Sequence, residues 1–265
     1  MCYGLCVPIF TGRGPAFPVT ATQLIDIVFP GATNHHGTLF GGVGLAHMDK
    51  VAFIAATRHA HVDFVTASCE RIDFQAPAHP GDLVEVTGTV TRAGRRSLGV
   101  AVEMVAEAPL SGERRLCTRG VFNMVAVGPA VEADGWRMPP LATAAAPPDG
   151  CRMVEMVMPE QTSHYGSLYG GHTLGAMAKA AFILATRRTR RTLVMASVQR
   201  VDFTAQVESG AIIELVPTIA ATGRRSLTVD VALHAESLRS GERRLFGSGT
   251  FVMVAVAEAE SVPTG

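Results

Sequence analysis

The chain of 265 residues carries 23 Lys and Arg against 23 Asp and Glu, a formal net charge of zero, and it is 48% hydrophobic and 17% charged. Such a composition fills a core and excludes a disordered chain, while balanced charge offers no field for gripping a nucleic-acid polymer. No apolar run approaches the roughly 20 residues that a membrane-spanning helix needs.

The first residues lack a basic run, and Pro8, Gly12, Gly14 and Pro15 interrupt their apolar character. They are read as a loose tail rather than a signal peptide, with a cytoplasmic location expected. The five cysteines are odd in number and have no metal-ligand spacing, so no disulfide framework is expected.

Self-similarity organises everything after this tail. Residues 37–127 align with 166–256 at a constant offset of 129 without a gap, and 44 of the 91 positions are identical. The chain is a duplication. The expected division is a tail over 1–21, a first unit over 22–128, a Pro- and Ala-rich exposed linker over 129–150, a second unit over 151–257 and a tail over 258–265.

Each copy opens on a polar, glycine-containing loop and enters a helical stretch with Leu45, Met48, Ala52 and Ala56 on one face. Strand patterns follow near 65–74, 83–90, 98–104 and 116–127, punctuated by Pro80-Gly81-Asp82, Ala93-Gly94-Arg95 and Ser111-Gly112. Each copy therefore reads as an α+β unit in which an antiparallel meander must wrap one Ala- and Gly-rich helix to bury it.

The loop-to-helix junction concentrates the candidate chemistry. The first copy reads Asn34-His35-His36-Gly37-Thr38-Leu39-Phe40-Gly41-Gly42, with Asp49 two turns into the helix; the second reads Ser163-His164-Tyr165-Gly166-Ser167-Leu168-Tyr169-Gly170-Gly171, with Ala178 in the place of Asp49. Glycines there let a ligand approach backbone N–H groups at the positive end of a helix dipole, donors suited to a developing oxyanion. A carboxylate on the same face can deprotonate a water or attack a carbonyl. Since the second copy builds its helix with Ala178, the fold does not require a carboxylate at this position.

Other candidates carry less. The histidines lack an accompanying carboxylate cluster, so no metal site is expected. His59 and His61 align with Arg188 and Arg190, which suggests a solvated helix end, and Cys69 and Cys117 align with Val198 and Phe246, which suggests core filling. Arg95-Arg96 and Arg224-Arg225 sit in equivalent hairpins, and Lys50 and Lys179, the only two lysines, hold equivalent helix positions.

The motif N-H-x-G-x-x-F-G-G followed by Met48-Asp49, with its counterpart in the second copy, resembles the acyl-CoA thioesterases of the hotdog fold. The resemblance implies a double hotdog acting as an intramolecular pseudo-dimer and hydrolysing acyl-CoA, with no cofactor because CoA is part of the substrate. It implies a site between two units, so that Asp49 faces Ser163 and His164 while Asn34 faces Ala178, with Gly42 and Gly171 supplying N–H donors. It also implies homo-oligomers of such chains, and makes Arg95, Arg96, Arg224 and Arg225 candidates for the CoA phosphates. Two rivals stand beside it: a hotdog hydratase or dehydratase, for which His59 and His61 lie poorly spaced from Asp49, and a non-catalytic acyl-CoA-binding module.

Overall fold

The computed structural model describes residues 21–141 and 151–256. The first repeat contains β1 (Thr22–Ile27), α1 (Gly41–Ala60), β2 (Asp63–Phe74), β3 (Leu83–Ala93), β4 (Ser97–Glu107) and β5 (Arg114–Val127), followed by the short α2 (Pro129–Glu132). The second contains β6 (Met153–Met156), α3 (Gly170–Thr189), β7 (Leu193–Phe203), β8 (Ile212–Thr222), β9 (Ser226–Glu236) and β10 (Arg243–Ala255). Each forms an antiparallel five-stranded sheet, ordered β1-β3-β4-β5-β2 and β6-β8-β9-β10-β7. An α+β hotdog unit is thus present in each half, which makes the chain a double hotdog.

The alternating residues of β3, β4 and β5 turn Val86, Val100, Val102, Phe122 and Met124 onto α1, which answers with Met48, Val51, Ala52, Ala55 and Ala56. Contact is close. A Cβ at Gly88 would lie 2.6 Å from Val51, so this strand position admits the helix because it lacks a side chain. Both helices end alike, at His61 with φ 52° and Arg190 with φ 54°, left-handed caps whose N–H groups return to Thr57 and Thr186.

Several side chains differ from their sequence-based placement. Leu45 is 36% exposed, whereas Met48, Ala52 and Ala56 are fully buried, because Leu45 shares the flank of Gly41 and Asp49 that faces Phe74 and Thr66 on the edge strand β2. His59 is buried, with Nε2 2.9 Å from the Pro139 carbonyl, and is not a solvated helix end. Cys117 fills the core, but Cys69 is exposed on β2. The expected linker is docked in its first part: Val131 is buried, its carbonyl accepts from Arg96 at 2.8 Å, and Trp136 and Met138 pack on the first core.

The two repeats dock through charge placed on apolar ground. Arg187 near the end of α3 reaches Glu85 and Glu107 of the first repeat at 2.7 Å each, and Arg190 reaches Glu107 at 2.7 Å. The counterpart is Arg58 on Glu236 at 2.7 Å, so that the offset of 129 maps one contact on the other and marks a pseudo-twofold axis. Burial works to raise the Glu85 and Glu107 carboxyls, but the surrounding arginines outweigh it and hold both below the usual glutamate value. Between these contacts Ile54 packs with Val154 and Ile212, while Ile25 and Leu83 enter the second repeat's core.

On the pseudo-axis Asp26, Glu155, Lys50, Lys179 and His47 line a small cavity, and Lys179 bonds Asp26 at 2.9 Å. The two lysines are therefore parts of the joint between repeats.

Loss of one partner from a buried ion pair strands the other, at about 3–5 kcal/mol. Arg187→Ala is expected to lower the unfolding free energy by about 3 kcal/mol in urea titrations, whereas Arg200→Ala, which removes an exposed pair with Asp202, leaves the midpoint unchanged. A second expectation concerns pH. Burial, partly offset by Asp26, lowers His47 below 6.5, with Lys50, Lys179 and Glu155 also facing it; burial and then Arg243 lower His234, beside Glu214 and Arg152. The unfolded chain then binds protons more readily, so stability is complete above about pH 6.5 and falls as pH drops from there towards the lowered values. Replacement by the residues of the opposite repeat, His47→Ala and His234→Val, should flatten that decline in midpoint against pH.

Candidate active site

The loop before α1 is held by its own polar groups. Asn34 Oδ1 accepts from the N–H groups of His36 and Thr38 at 2.9 and 3.3 Å, its Nδ2 donates to Thr38 Oγ1 at 3.0 Å, and Gly37 takes φ 71° to close the turn. Asn34 thus organises the loop and keeps one amide hydrogen uncommitted. Ser163 does the same work with less, accepting from Tyr165 N–H at 3.3 Å and lying 3.4 Å from Ser167 Oγ. The rings of His35 and His36, and of His164 and Tyr165, lie 3.8 Å apart on exposed loop tips.

At the start of α1 the N–H groups of Val43 and Gly44 turn back to the Phe40 carbonyl, leaving those of Gly41 and Gly42 without an acceptor among the described residues. The Phe40 ring lies over the junction, where a Cβ on Gly42 would meet it at 2.6 Å; Tyr169 covers Gly171 at the same distance. The second glycine of the pair, Gly42 or Gly171, therefore has a packing role in both repeats, and the start of α1 also exposes helix-terminal donors.

Asp49 is half-buried, and Thr66 on β2 donates to its Oδ1 at 2.6 Å. That bond fixes the carboxylate and leaves Oδ2 open. Thr66 is the Asp49 partner that sequence reasoning missed, although a signal existed: its counterpart is Met195, so the second repeat replaces both members of the pair, Asp49 by Ala178 and Thr66 by Met195.

The described residues do not bring Asp49 together with Ser163 or His164. The contacts of α1 with the second repeat run along His47, Lys50, Ile54, Arg58 and His61. At 100° per residue Asp49 lies roughly 140° around the helix from that line, and the hydrogen bonds of Ser163 stay within its own repeat. Arg96 and Arg225 donate to the Val131 and Ala255 carbonyls, while Arg95 and Arg224 are exposed and without a partner among the described residues. Among the described residues no group of three or more His, Cys, Asp and Glu is placed to hold a metal ion, and no helix is long and apolar enough to cross a membrane.

The model of the thioesterase superfamily matches twice, over residues 36–112 and 165–242, each match spanning the long helix and the three strands that follow it. The chain belongs to the thioesterase superfamily. This thioesterase is 48% identical to an acyl-CoA hydrolase from Agrobacterium tumefaciens of known crystal structure, with a TM-score of 0.83 over 92% of this chain and 98% of that one. It is 23% identical to the human cytosolic acyl coenzyme A thioester hydrolase over 98% of this chain and 82% of that protein. The uncharacterized acyl-CoA thioester hydrolase YkhA of Bacillus subtilis is 39% identical over 38% of this chain, a match that spans 58% of the Bacillus protein.

Thr66→Ala removes the hydroxyl that orients Asp49 and leaves the fold's packing to Met124. The expected result is a fall in kcat of about 10–100-fold with little change in KM, read by thiol release, since an oriented carboxylate acts on the reaction more than on ground-state binding.

Proposed function

We propose that this thioesterase hydrolyses acyl-CoA to a free carboxylic acid and CoA, with Asp49 as general base. The observation that carries the reading is the Asp49–Thr66 pair, present in one repeat and absent from the other, on the helix whose N-terminus leaves Gly41 and Gly42 donors free. The whole-length likeness to an acyl-CoA hydrolase supports the substrate class.

In this scheme Oδ2 of Asp49 takes a proton from water as the oxygen attacks the thioester carbon. Helix-terminal N–H groups, from Gly42 or from Gly171 of another unit, hold the oxyanion. The C–S bond then breaks, and the leaving sulfur regains the proton from Asp49. Water and these groups balance the reaction without a cofactor. A direct attack by Asp49 would leave an anhydride needing a second base, and Thr66 is its only hydrogen-bond partner among the described residues.

A loop from a neighbouring unit, carrying Asn34 or Ser163 and His164, completes the polar surroundings in homo-oligomers, and Arg95 and Arg224 remain available to the CoA phosphates. The likeness to a cytosolic relative supports a cytoplasmic location. The hydratase reading loses ground because His59 and His61 face the Pro139 and Leu238 carbonyls.

Asp49→Ala should lower thiol release from acyl-CoA by about 10²–10⁴-fold, the usual contribution of a positioned base. Release at the wild-type rate would sink the assignment, and water addition to a crotonyl thioester would favour the hydratase.

A further inference from the structure

The two repeats differ at the first glycine of the pair. A Cβ at Gly41 would lie 3.4 Å from Cζ of Phe74, whereas nothing stands within 4 Å of such a position at Gly170. The N–H groups of Gly41 and Gly42, which have no acceptor among the described residues, thus open between two rings, Phe74 and Phe40, each more than half exposed. The second repeat has one ring there, Tyr169 over Gly171.

The cause lies on β5. Phe74 pairs with Thr118 and its counterpart Phe203 with Gly247, so the two phenylalanines hold the same register. At Gly247 a Cβ would come within 2.9 Å of Phe203 Cδ1 and of the Asp202 carbonyl; ring and strand rest where a side chain would stand. Thr118 fills that place. Residues paired across a ladder share a face, so the Thr118 side chain keeps Phe74 off β5 and leaves its ring against the helix start. Thr118 is fully buried, and its hydroxyl has no hydrogen-bond partner among the described residues. A buried hydroxyl without a partner is unfavourable. What Thr118 contributes is therefore its shape.

We propose that Phe74, held against Gly41 by Thr118, determines the specificity of the thioester site: with Phe40 it forms a slot over the helix-terminal donors that takes acyl groups unbranched at the carbon next to the carbonyl. The inference rests on the reading of these N–H groups as the oxyanion donors. A carbonyl oxygen that reaches them enters between the rings, and the next carbon of the acyl chain is only two bonds from that oxygen. An unbranched chain leaves along the slot, while a methyl branch at that carbon is driven into a ring. One carbon in an apolar pocket is worth about 10–200-fold in discrimination.

Thiol release by the full chain is measured on two pairs, hexanoyl-CoA with 2-methylhexanoyl-CoA and palmitoyl-CoA with 2-methylpalmitoyl-CoA. In whichever pair is the better substrate, the wild type should favour the unbranched member by about 30-fold or more in kcat/KM. Phe74→Ala should bring that ratio to about 3-fold or less, chiefly by a gain on the branched thioester. Thr118→Gly, which installs the residue of the opposite repeat, should do the same by letting the ring fall back on β5. Thr118→Ala and Thr118→Val keep a Cβ and should keep the wild-type ratio. A ratio does not depend on the fraction of folded enzyme, so lost stability in Thr118→Gly does not imitate the effect.

A wild type without preference, or a preference unchanged in Phe74→Ala, would overturn the proposal. A preference lost as fully in Thr118→Ala as in Thr118→Gly would reject Thr118 as the residue that places the ring. The reading beneath is tested separately: a wild type that releases no thiol from either pair rejects hydrolysis. Calorimetric titration with the same four thioesters then decides on the slot, which predicts tighter binding of the unbranched members and loss of that difference in Phe74→Ala.

Discussion

Buried contacts between arginine and glutamate set the relation between the repeats. Glu107 is 1% exposed yet ionised among Arg114, Arg187 and Arg190, two of which come from the other repeat. Such clusters add little net stability over apolar residues of the same volume, but misplacing one partner costs about 3–5 kcal/mol. They act here as a locating device. Only one orientation of α3 against the first sheet places Arg187 between Glu85 and Glu107 while Arg58 reaches Glu236. Fixing that orientation directs one flank of each helix into the joint and leaves the other flank, with the β2 or β7 edge, turned outward.

The duplication has therefore preserved one set of constraints and released another. Many residues that the joint uses persist in both copies, as Arg58 and Arg187, Lys50 and Lys179, Glu85 and Glu214, or Glu107 and Glu236. Residues that act only on the outer flank diverge, as Asp49 and Ala178, Thr66 and Met195, Asn34 and Ser163. Gly42 and Gly171 also persist, because an aromatic ring rests on each. The retention of Gly171 in the second copy therefore says nothing about chemistry there. The paired loss of carboxylate and hydroxyl is more informative, since among the described residues the two side chains hydrogen bond only to each other and to the neighbouring Met124 thioether.

Periodicity and repetition made the architecture legible: alternation in the Leu98–Met104 and Leu227–Leu233 segments, the Ala-rich helix and the constant offset are all local patterns. Contacts between repeats left no such trace. Lys50 and Lys179 look like surface cations on a helix until Asp26 and Glu155 are brought to them from another strand and another repeat. Leu45 and Cys69 satisfy a core pattern, yet they lie where the sheet ends, and pattern alone does not mark an edge. The short strands β1 and β6 were invisible because six and four residues carry too little alternation. Asp49 was identifiable from its absence in the second copy, and Thr66 could have been found by carrying the same comparison into the next strand.

A reacting carboxylate placed inside the joint would sit among Lys50, Lys179 and the arginine clusters, where opposite charges would hold it paired and away from water. The outer flank gives Asp49 a hydroxyl partner, which orients one oxygen without neutralising the group, and leaves the other oxygen open to a water molecule. That flank also leaves the carboxylate beside the exposed apolar side chains of β2, Val65 and Phe74. The charged joint, by holding α1 and α3 in one orientation through Arg58–Glu236 and Arg187–Glu85, gives both outer flanks a fixed geometry.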